Sequence, residues 1–250
     1  MSGHSKWHSI RHKKGAVDAK RGKLFTKIIR EITVAAREGG GDPDANSRLR
    51  TVIAKAKEAN MPKDNITKAI KKGTGEIAGF NLEEVIYEAY GPSGVAIMID
   101  AMTDNRNRTT AEIRSILTKN GGNLGESGCV AWIFEMRGVI AVSSEKYDEN
   151  TVMELALEAG ASDINNENDT WEIITEPEDY ADVRHALDEK GIEIIMSEVM
   201  RIPKTTVKLD EKNASKVLSL MEKLEDIEDV QNVAANFDIP DEILQVIGNE

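Results

Sequence analysis

The chain has 250 residues, of which 40% are apolar and 30% charged, and its formal net charge at pH 7 is −12. This length exceeds the usual domain of roughly 100 to 150 residues, so two or three domains are expected. With no run of about 18 apolar residues to span a bilayer, and with Cys129 as the single cysteine, a membrane partner and an internal disulfide are excluded.

The charges are divided unevenly along the chain. Residues 1–72 hold 18 Lys and Arg and 7 Asp and Glu, a net of 18 − 7 = +11, whereas residues 73–250 sum to 14 − 37 = −23. Such asymmetry predicts a part that binds a polyanion, with nucleic acid as the first partner to test, joined to a part that a polyanion repels. The alternative is that Lys and Arg only cover the solvent-exposed outer faces of a helical bundle.

Helical spacing of apolar residues runs from Ala19 to Lys72. A first helix ends at the glycines 39–41, a second begins near Asp44, and a shorter third ends at Gly73. These helices predict a basic helical domain over residues 1–78, whose basic residues lie on outer faces and on an N-terminal arm. The residues predicted to contact nucleic acid are Lys6, Lys13, Lys14, Lys20, Arg21, Lys23, Lys27, Arg48, Lys55, Lys57, Lys68 and Lys71.

Beyond Glu83 the apolar period becomes that of strands. Two strand-like runs, Val85 to Tyr90 and Val95 to Ala101, flank a Gly-Pro-Ser-Gly turn and predict a hairpin. A helix is expected from about Thr110 to Lys119, because Thr109 and Glu112 have the spacing of a capping box. An apolar strand is expected from Cys129 to Phe134.

The next segment has the order βαββαβ. Its predicted elements are the strand Val139 to Val142, the helix Asn150 to Ala159, the strands Asp163 to Asn165 and Trp171 to Thr175, the helix Pro177 to Glu189 and the strand Ile192 to Val199. This order predicts a ferredoxin-like domain over residues 135–203. A strand after Pro203, a helix at 211–224 and a closing strand near 230–235 complete a second α+β domain, formed by residues 79–134 plus 204–250, into which the first is inserted. The fold class is therefore a multidomain α and α+β protein.

A polar loop lies between the second strand of the hairpin and the helix that follows it. Two arginines beside a helix N-terminus suit anionic oxygens. The predicted partner-contacting residues are Asp104, Asn105, Arg106, Asn107 and Arg108, and we expect them to act separately from the basic bundle. The alternative is that Arg106 and Arg108 pair with carboxylates nearby.

Candidates for catalysis or metal binding are few. His4, His8 and His12 are spaced by four, yet no Cys, Asp or Glu precedes Asp18 to complete a metal site, so a basic arm is favoured. Cys129 is expected to be a buried structural thiol. The sequence therefore predicts a protein that is not an enzyme, with no catalytic residues, no metal, no cofactor and no small-molecule substrate.

The N-terminal segment bears on location. Residues 1–15 have no hydrophobic stretch of the kind that directs secretion, so a cytoplasmic location is expected. The lack of acidic residues before Asp18 leaves an organellar targeting peptide as the alternative.

Several short motifs together resemble the YebC/PmpR family. They are Gly3-His4-Ser5-Lys6-Trp7, Arg21-Gly22-Lys23, Asp42-Pro43, Asn60-Met61-Pro62, Asp64-Asn65-Ile66, Tyr87 to Pro92 and Thr103 to Thr109. One departure is Ala89, where the family usually has glycine. The resemblance covers essentially the whole chain and implies a helical domain followed by two α+β domains, one inserted in the other.

The resemblance also implies a function. Members of this family are described as probable DNA-binding transcriptional regulators, and relatives, including a mitochondrial translational activator of cytochrome oxidase, are associated with ribosomes or with the synthesis of proline-rich stretches. It implies a regulator with DNA or ribosomal RNA as partner and the ribosome as a further partner. A Lys-rich surface suits phosphates of duplex DNA and of structured RNA alike. A protein-binding adaptor is the weaker alternative.

Overall fold

The computed structural model describes residues 18–78, 81–167, 170–240 and 243, and the side chains of residues 18–21 and 167 lie outside that description. The described part is a mixed α/β protein with seven α-helices and three β-sheets. In chain order the helices and strands are α1 (Asp18–Gly39), α2 (Ser47–Glu58), α3 (Lys63–Gly73), β1 (Glu83–Tyr90), β2 (Ala96–Thr103), α4 (Arg106–Lys119), β3 (Asn123–Leu124), β4 (Phe134–Ser143), α5 (Glu149–Glu158), β5 (Asp163–Glu167), β6 (Thr170–Thr175), α6 (Tyr180–Glu189), β7 (Ile194–Pro203), β8 (Val207–Lys208), α7 (Glu211–Glu225), β9 (Val230–Ala235) and β10 (Phe237–Asp238).

The first three helices, called here the helical unit (residues 18–78), pack around one apolar core. Ile28 and Ile32 of α1 meet Leu49 of α2 and Ile66 of α3 there. Asn46 caps α2, since its side-chain oxygen accepts a hydrogen bond from the amide of Leu49 at 3.0 Å. Its amide group also donates to the carbonyls of residues 35 and 40, each at 2.8 Å, which fixes α2 against α1.

Two larger sheets follow, each with its own core. The first has the order β3-β1-β2-β9 and is covered by α4 and α7, so that Ile97 and Ile99 pack against Leu117 and Leu220. The second has the order β5-β6-β4-β7, antiparallel throughout, and packs against α5 and α6. Its strand order is that of a split βαββαβ motif. A short parallel pair joins β8 and β10.

The two larger sheets are not sequential along the chain. Residues 83–103 and 230–235 share the first sheet, while the segment from 134 to 203 forms the second. Between the sheets, the guanidinium of Arg201 on β7 contacts the carboxylate of Asp100 on β2 at 2.9 Å. The long return of the chain to β9 therefore brings Asp229, the residue before that strand, beside the end of β2.

Several predicted element starts were wrong, and one predicted strand is a different element. Helix α4 begins at Arg106 with Asn105 as its cap, because the Asn105 side chain accepts from the amide of residue 108 at 3.1 Å. The predicted strand from Cys129 to Phe134 is instead a turn and a 3₁₀ helix, Ala131–Ile133, before β4. Helix α6 begins three residues after Pro177, which lies in a turn, and α2 begins three residues after Asp44.

Candidate nucleic-acid interface

Four of the cations predicted to bind nucleic acid contact other parts of the same chain. Lys23 Nζ lies 2.8 Å from a carboxylate oxygen of Asp226. Lys27 Nζ donates to the carbonyl of residue 225 at 3.1 Å, and Arg48 pairs with Glu38 at 2.6 Å and also with Glu84. Lys55 lies 3.2 Å from Glu31 and 3.6 Å from Glu198. The structure thus places these four side chains against carboxylates or carbonyls.

Three others have open surroundings. Lys57 on α2 and Lys68 and Lys71 on α3 are exposed, and no described carboxylate forms an ion pair with them. Lys63 and Lys72, which are not among the predicted contact residues, are exposed on α3 as well. Positions 68, 71 and 72 follow the three- and four-residue spacing of one helix face, a signal that was available in the sequence. The outward face of α3 is therefore cationic.

The remaining predicted contacts cannot be placed in the same way. Lys6, Lys13 and Lys14 lie outside the described residues. Lys20 and Arg21 belong to the first turn of α1, with side chains outside the description. These five stay predictions.

A buried carboxylate that the sequence did not reveal joins the helical unit to the first sheet. The side chain of Asp229 is 4% exposed. It accepts hydrogen bonds from Thr109 Oγ1 at 2.6 Å, from Arg108 at 2.7 Å and from Thr103 Oγ1 at 3.1 Å, and it also pairs with Arg30. Burial alone would raise the pKa of this carboxyl, but the hydrogen bonds from Arg108, Thr109 and Arg30 outweigh it and lower the pKa to about 2. Asp229 is therefore ionised at neutral pH.

The loop from Asp104 to Arg108 is tied to the same carboxylate. Arg108 pairs with Asp104 at 2.9 Å as well as with Asp229, as the alternative reading of the loop expected for this arginine. Arg106 and Asn107 are exposed. Arg108 of α4 and Arg30 of α1 share Asp229, so the loop is joined to the helical unit through this carboxylate, and its separate action stays a prediction. Contact with a partner through this loop stays a prediction.

A cleft of about 460 Å³ lies where α1 and α3 meet the end of β2 and the start of α4. The charged side chains that line it are Arg30, Lys72, Asp104, Arg108, Glu112, Glu228 and Asp229. Three cations and four carboxylates share its wall, so the cleft offers neither a uniform anion site nor a uniform cation site. Cations and carboxylates are instead mixed in its wall, with one carboxylate in excess.

The surroundings of Cys129 do not activate the thiol. Desolvation, followed by the negative charge of Glu88, raises the pKa of the thiol and keeps it protonated, which makes it a poor nucleophile. Glu88 is itself held by the amides of Gly128, Val130 and Ala131 at 2.6 to 2.8 Å, and these bonds lower its pKa against the opposing effect of burial. These hydrogen bonds to Glu88 stabilise the turn before β4.

Two further features bear on ligands and membranes. Among the described residues, no group of three or more His, Cys, Asp or Glu side chains is placed to hold a metal ion. Within the same ranges, no helix combines the length and the apolar character needed to cross a bilayer.

Known proteins similar to this chain cover nearly its full length. Residues 5–76 match the family model described as the TACO1/YebC protein N-terminal domain, and residues 82–237 match the one described as the TACO1/YebC second and third domain. A protein of Persephonella marina, named "Probable transcriptional regulatory protein", is 57% identical over 249 residues, which is 99% of this chain and 100% of the relative. A protein of Dictyoglomus turgidum with the same name is 59% identical over 98% of this chain and 99% of its own length.

A solved structure is similar as well. The crystal structure of a conserved hypothetical protein from Aquifex aeolicus superimposes with a TM-score of 0.82 at 52% sequence identity. The superposition covers 92% of this chain and 95% of the Aquifex chain. The similarity therefore extends to the three-dimensional structure of almost the whole molecule.

Proposed function

The chain belongs to the TACO1/YebC family, and from this membership and the charge of its helical unit we propose that it is a DNA-binding regulatory protein that controls transcription. The relatives' name, "Probable transcriptional regulatory protein", supports regulation as the function. Within the proposal the protein works by binding rather than by catalysis, and it acts in the cytoplasm, as the sequence led us to expect.

The observation that carries the proposal is the set of exposed lysines on α2 and α3. Lys57, Lys68 and Lys71 are exposed in a chain whose overall charge is −12. An ammonium group is a compact point charge that binds phosphate oxygens, and each phosphate it neutralises releases counterions. Three such groups, together with the basic composition of residues 1–17, favour a polyanion over a protein partner.

The kind of contact follows from the side chains available. In the described part of the helical unit, Phe25 is the one aromatic residue, and it packs against the core. Stacking of unpaired bases on this surface is therefore not supported. Contacts to the phosphate backbone of a double helix are favoured, and structured RNA, including ribosomal RNA, is the competing ligand that the experiment below distinguishes.

The same proposal includes a division of the chain into three domains. Residues 1–78 form the basic helical domain, residues 79–134 plus 204–250 the α+β domain of the first sheet, and residues 135–203 the inserted ferredoxin-like domain. Strands β1 and β2 precede the second sheet in the chain and β9 follows it, yet all three belong to one sheet, which supports this division. The family models divide the chain at a similar point, between residues 76 and 82.

The test compares two triple variants in the full-length chain. Lys57→Ala, Lys68→Ala and Lys71→Ala together remove three exposed lysines of the helical unit, whereas Lys190→Ala, Lys208→Ala and Lys216→Ala remove three exposed lysines of the acidic part. Fluorescence anisotropy with duplex DNA and with a structured RNA of equal length gives both affinities. We expect the first variant to bind DNA at least about tenfold more weakly and the control to bind as well as wild type.

Two outcomes would count against the proposal. Equal affinities of both variants and wild type would remove the helical unit as the binding surface. Binding to structured RNA with no measurable binding to duplex DNA would replace DNA-linked control by a ribosome-associated function.

A further inference from the structure

A row of cations on α1 faces an acidic turn of the same chain. Lys23, Lys27 and Arg30 are spaced by four and three residues and so lie on one face of the helix. Opposite them is the turn between α7 and β9, called here the acidic turn (residues 225–229), which carries four acidic residues. Lys23 meets Asp226 at 2.8 Å, Lys27 meets the carbonyl of residue 225 at 3.1 Å, and Arg30 meets Glu228 at 2.9 Å.

This contact resembles the contact of a basic helix with a phosphate backbone. Carboxylates and a backbone carbonyl along one segment of the chain meet successive cations along one face of a helix, much as phosphate oxygens do in nucleic-acid complexes. Arg48 extends the pattern to Glu84 on β1, and Lys55 extends it to Glu198 on β7. The carboxylates of the acidic part thus occupy cations that would otherwise face solvent.

The outer part of this contact is weakly held. The side chains of Lys23 and Asp226 are 54% and 66% exposed, and that of Glu228 is 71% exposed. Exposed ion pairs contribute little to stability and are screened by salt. A nucleic acid carries many phosphates and gains entropy by releasing counterions. Its phosphates can therefore compete with the carboxylates for the same cations.

We propose that the α1 face of Lys23, Lys27 and Arg30 is a second nucleic-acid-binding surface. The exposed carboxylates of Asp226 and Glu228 occupy it until phosphates displace them, while the buried pair of Arg30 with Asp229 stays in place. The inference rests on the proposed function, because it assigns a further surface to the same ligand. Only molecules whose α1 face is uncovered can bind through it. The fraction of such molecules therefore sets the apparent affinity of that face for nucleic acid. A short or weakly charged ligand leaves the Asp226 and Glu228 carboxylates in contact with α1, and a long, highly charged one displaces them.

The first test weakens the turn without touching the buried carboxylate. The double variant Asp226→Asn and Glu228→Gln removes two exposed charges that face α1. Its matched control, Glu154→Gln and Glu158→Gln on α5, changes the net charge equally at exposed positions far along the chain. We expect the first variant to bind duplex DNA at least about threefold more tightly than wild type and with a steeper salt dependence, by about one to two units of slope.

The second test follows the contact itself in the wild-type protein. A zero-length carbodiimide cross-linker joins an ammonium to a carboxylate in direct contact, and mass spectrometry identifies the joined residues. Saturating duplex DNA should reduce the Lys23–Asp226 product at least about threefold. The Lys146–Glu193 product serves as internal control. That exposed pair, at 2.5 Å, lies within the segment 134–203 that forms the second sheet, so its yield should not change.

The outcomes separate this inference from the proposed function. A double variant that binds DNA no more tightly than the α5 control, or a Lys23–Asp226 product unchanged by bound DNA, would overturn the second surface and leave the first intact. Failure of wild type and both variants to bind DNA or RNA would overturn the proposed function, and this inference with it. A selective rise in affinity together with selective loss of the Lys23–Asp226 product supports it.

Discussion

At the scale of single residues, Asp229 receives hydrogen bonds or ion pairs from four side chains on three separate elements. Arg30 comes from α1, Thr103 from β2, and Arg108 and Thr109 from α4. A carboxylate that is 4% exposed is stable only when its oxygens are satisfied, and here donors surround both of them. Asp229 therefore fixes the helical unit against the first sheet more firmly than the exposed pairs around it.

Replacing Asp229 by Asn should lower the free energy of unfolding by about 2 to 4 kcal/mol, since Arg30 would lose its buried partner and the hydroxyl donors would face an amide. Asp226→Asn, at a side chain 66% exposed, should change it by less than about 0.5 kcal/mol. Urea denaturation followed by circular dichroism measures both. A loss below about 1 kcal/mol at Asp229 would show that the cluster does not hold the units together.

The pH dependence of that difference has a definite sign. The folded-state pKa of Asp229, about 2, lies below the unfolded value near 4, so its ionised form stabilises the folded protein above pH 4. This contribution is lost as the pH falls from about 4 to 2, and at neutral pH it amounts to roughly 2 kcal/mol. The stability difference between wild type and Asp229→Asn should therefore shrink over that range. A difference independent of pH would contradict the assigned pKa.

At the scale of helices and strands, spacing along the sequence was a good guide to where an element lies and a poor one to where it begins. The apolar stripes of α1 and the strand-like apolar runs of β1 and β2 predicted those elements within a few residues. Thr109 and Glu112 have the spacing of a capping box, but the Thr109 hydroxyl bonds to Asp229, 120 residues away. Local spacing could not reveal a partner so distant in the chain, and the helix begins at the alternative cap.

A pair of alanine variants distinguishes the two caps of α4. Asn105→Ala removes the oxygen that accepts from the amide of residue 108 and should cost about 1 kcal/mol. Glu112→Ala removes an exposed side chain from the interior of the helix and should change stability by less than about 0.5 kcal/mol. Thermal and urea denaturation of both variants give the comparison. A larger loss at Glu112 than at Asn105 would favour the capping box predicted from the sequence.

The sequence predicted the domain that carries the candidate interface, but not which of its cations are exposed. The excess of Lys and Arg before residue 73 identified the helical unit, because net charge is a property of composition. Which of those cations face solvent depends on contacts across about 200 residues, such as Lys23 with Asp226. Sequence alone therefore listed Lys23 and Lys57 as equals, whereas in the structure Lys23 forms an ion pair with Asp226 and Lys57 forms none with a described carboxylate.

At the scale of the whole molecule, the opposite charges of the two parts have two consequences. The acidic part contacts the helical unit through Asp226, Glu228 and Asp229 on one side and through Glu84 and Glu198 on the other. The cations on the outward face of α3 keep their exposure. A polyanion is thus attracted to the helical unit and repelled by most of the acidic part.

The salt dependence of binding to duplex DNA tests the central claim, that exposed lysines of the helical unit bind phosphates, most directly. Each phosphate neutralised adds about −0.9 to the slope of log K against log salt concentration. The variant lacking Lys57, Lys68 and Lys71 should therefore have a slope less steep than wild type by about 2 to 3, and the variant lacking Lys190, Lys208 and Lys216 should keep the wild-type slope. Equal slopes for all three proteins would contradict the account.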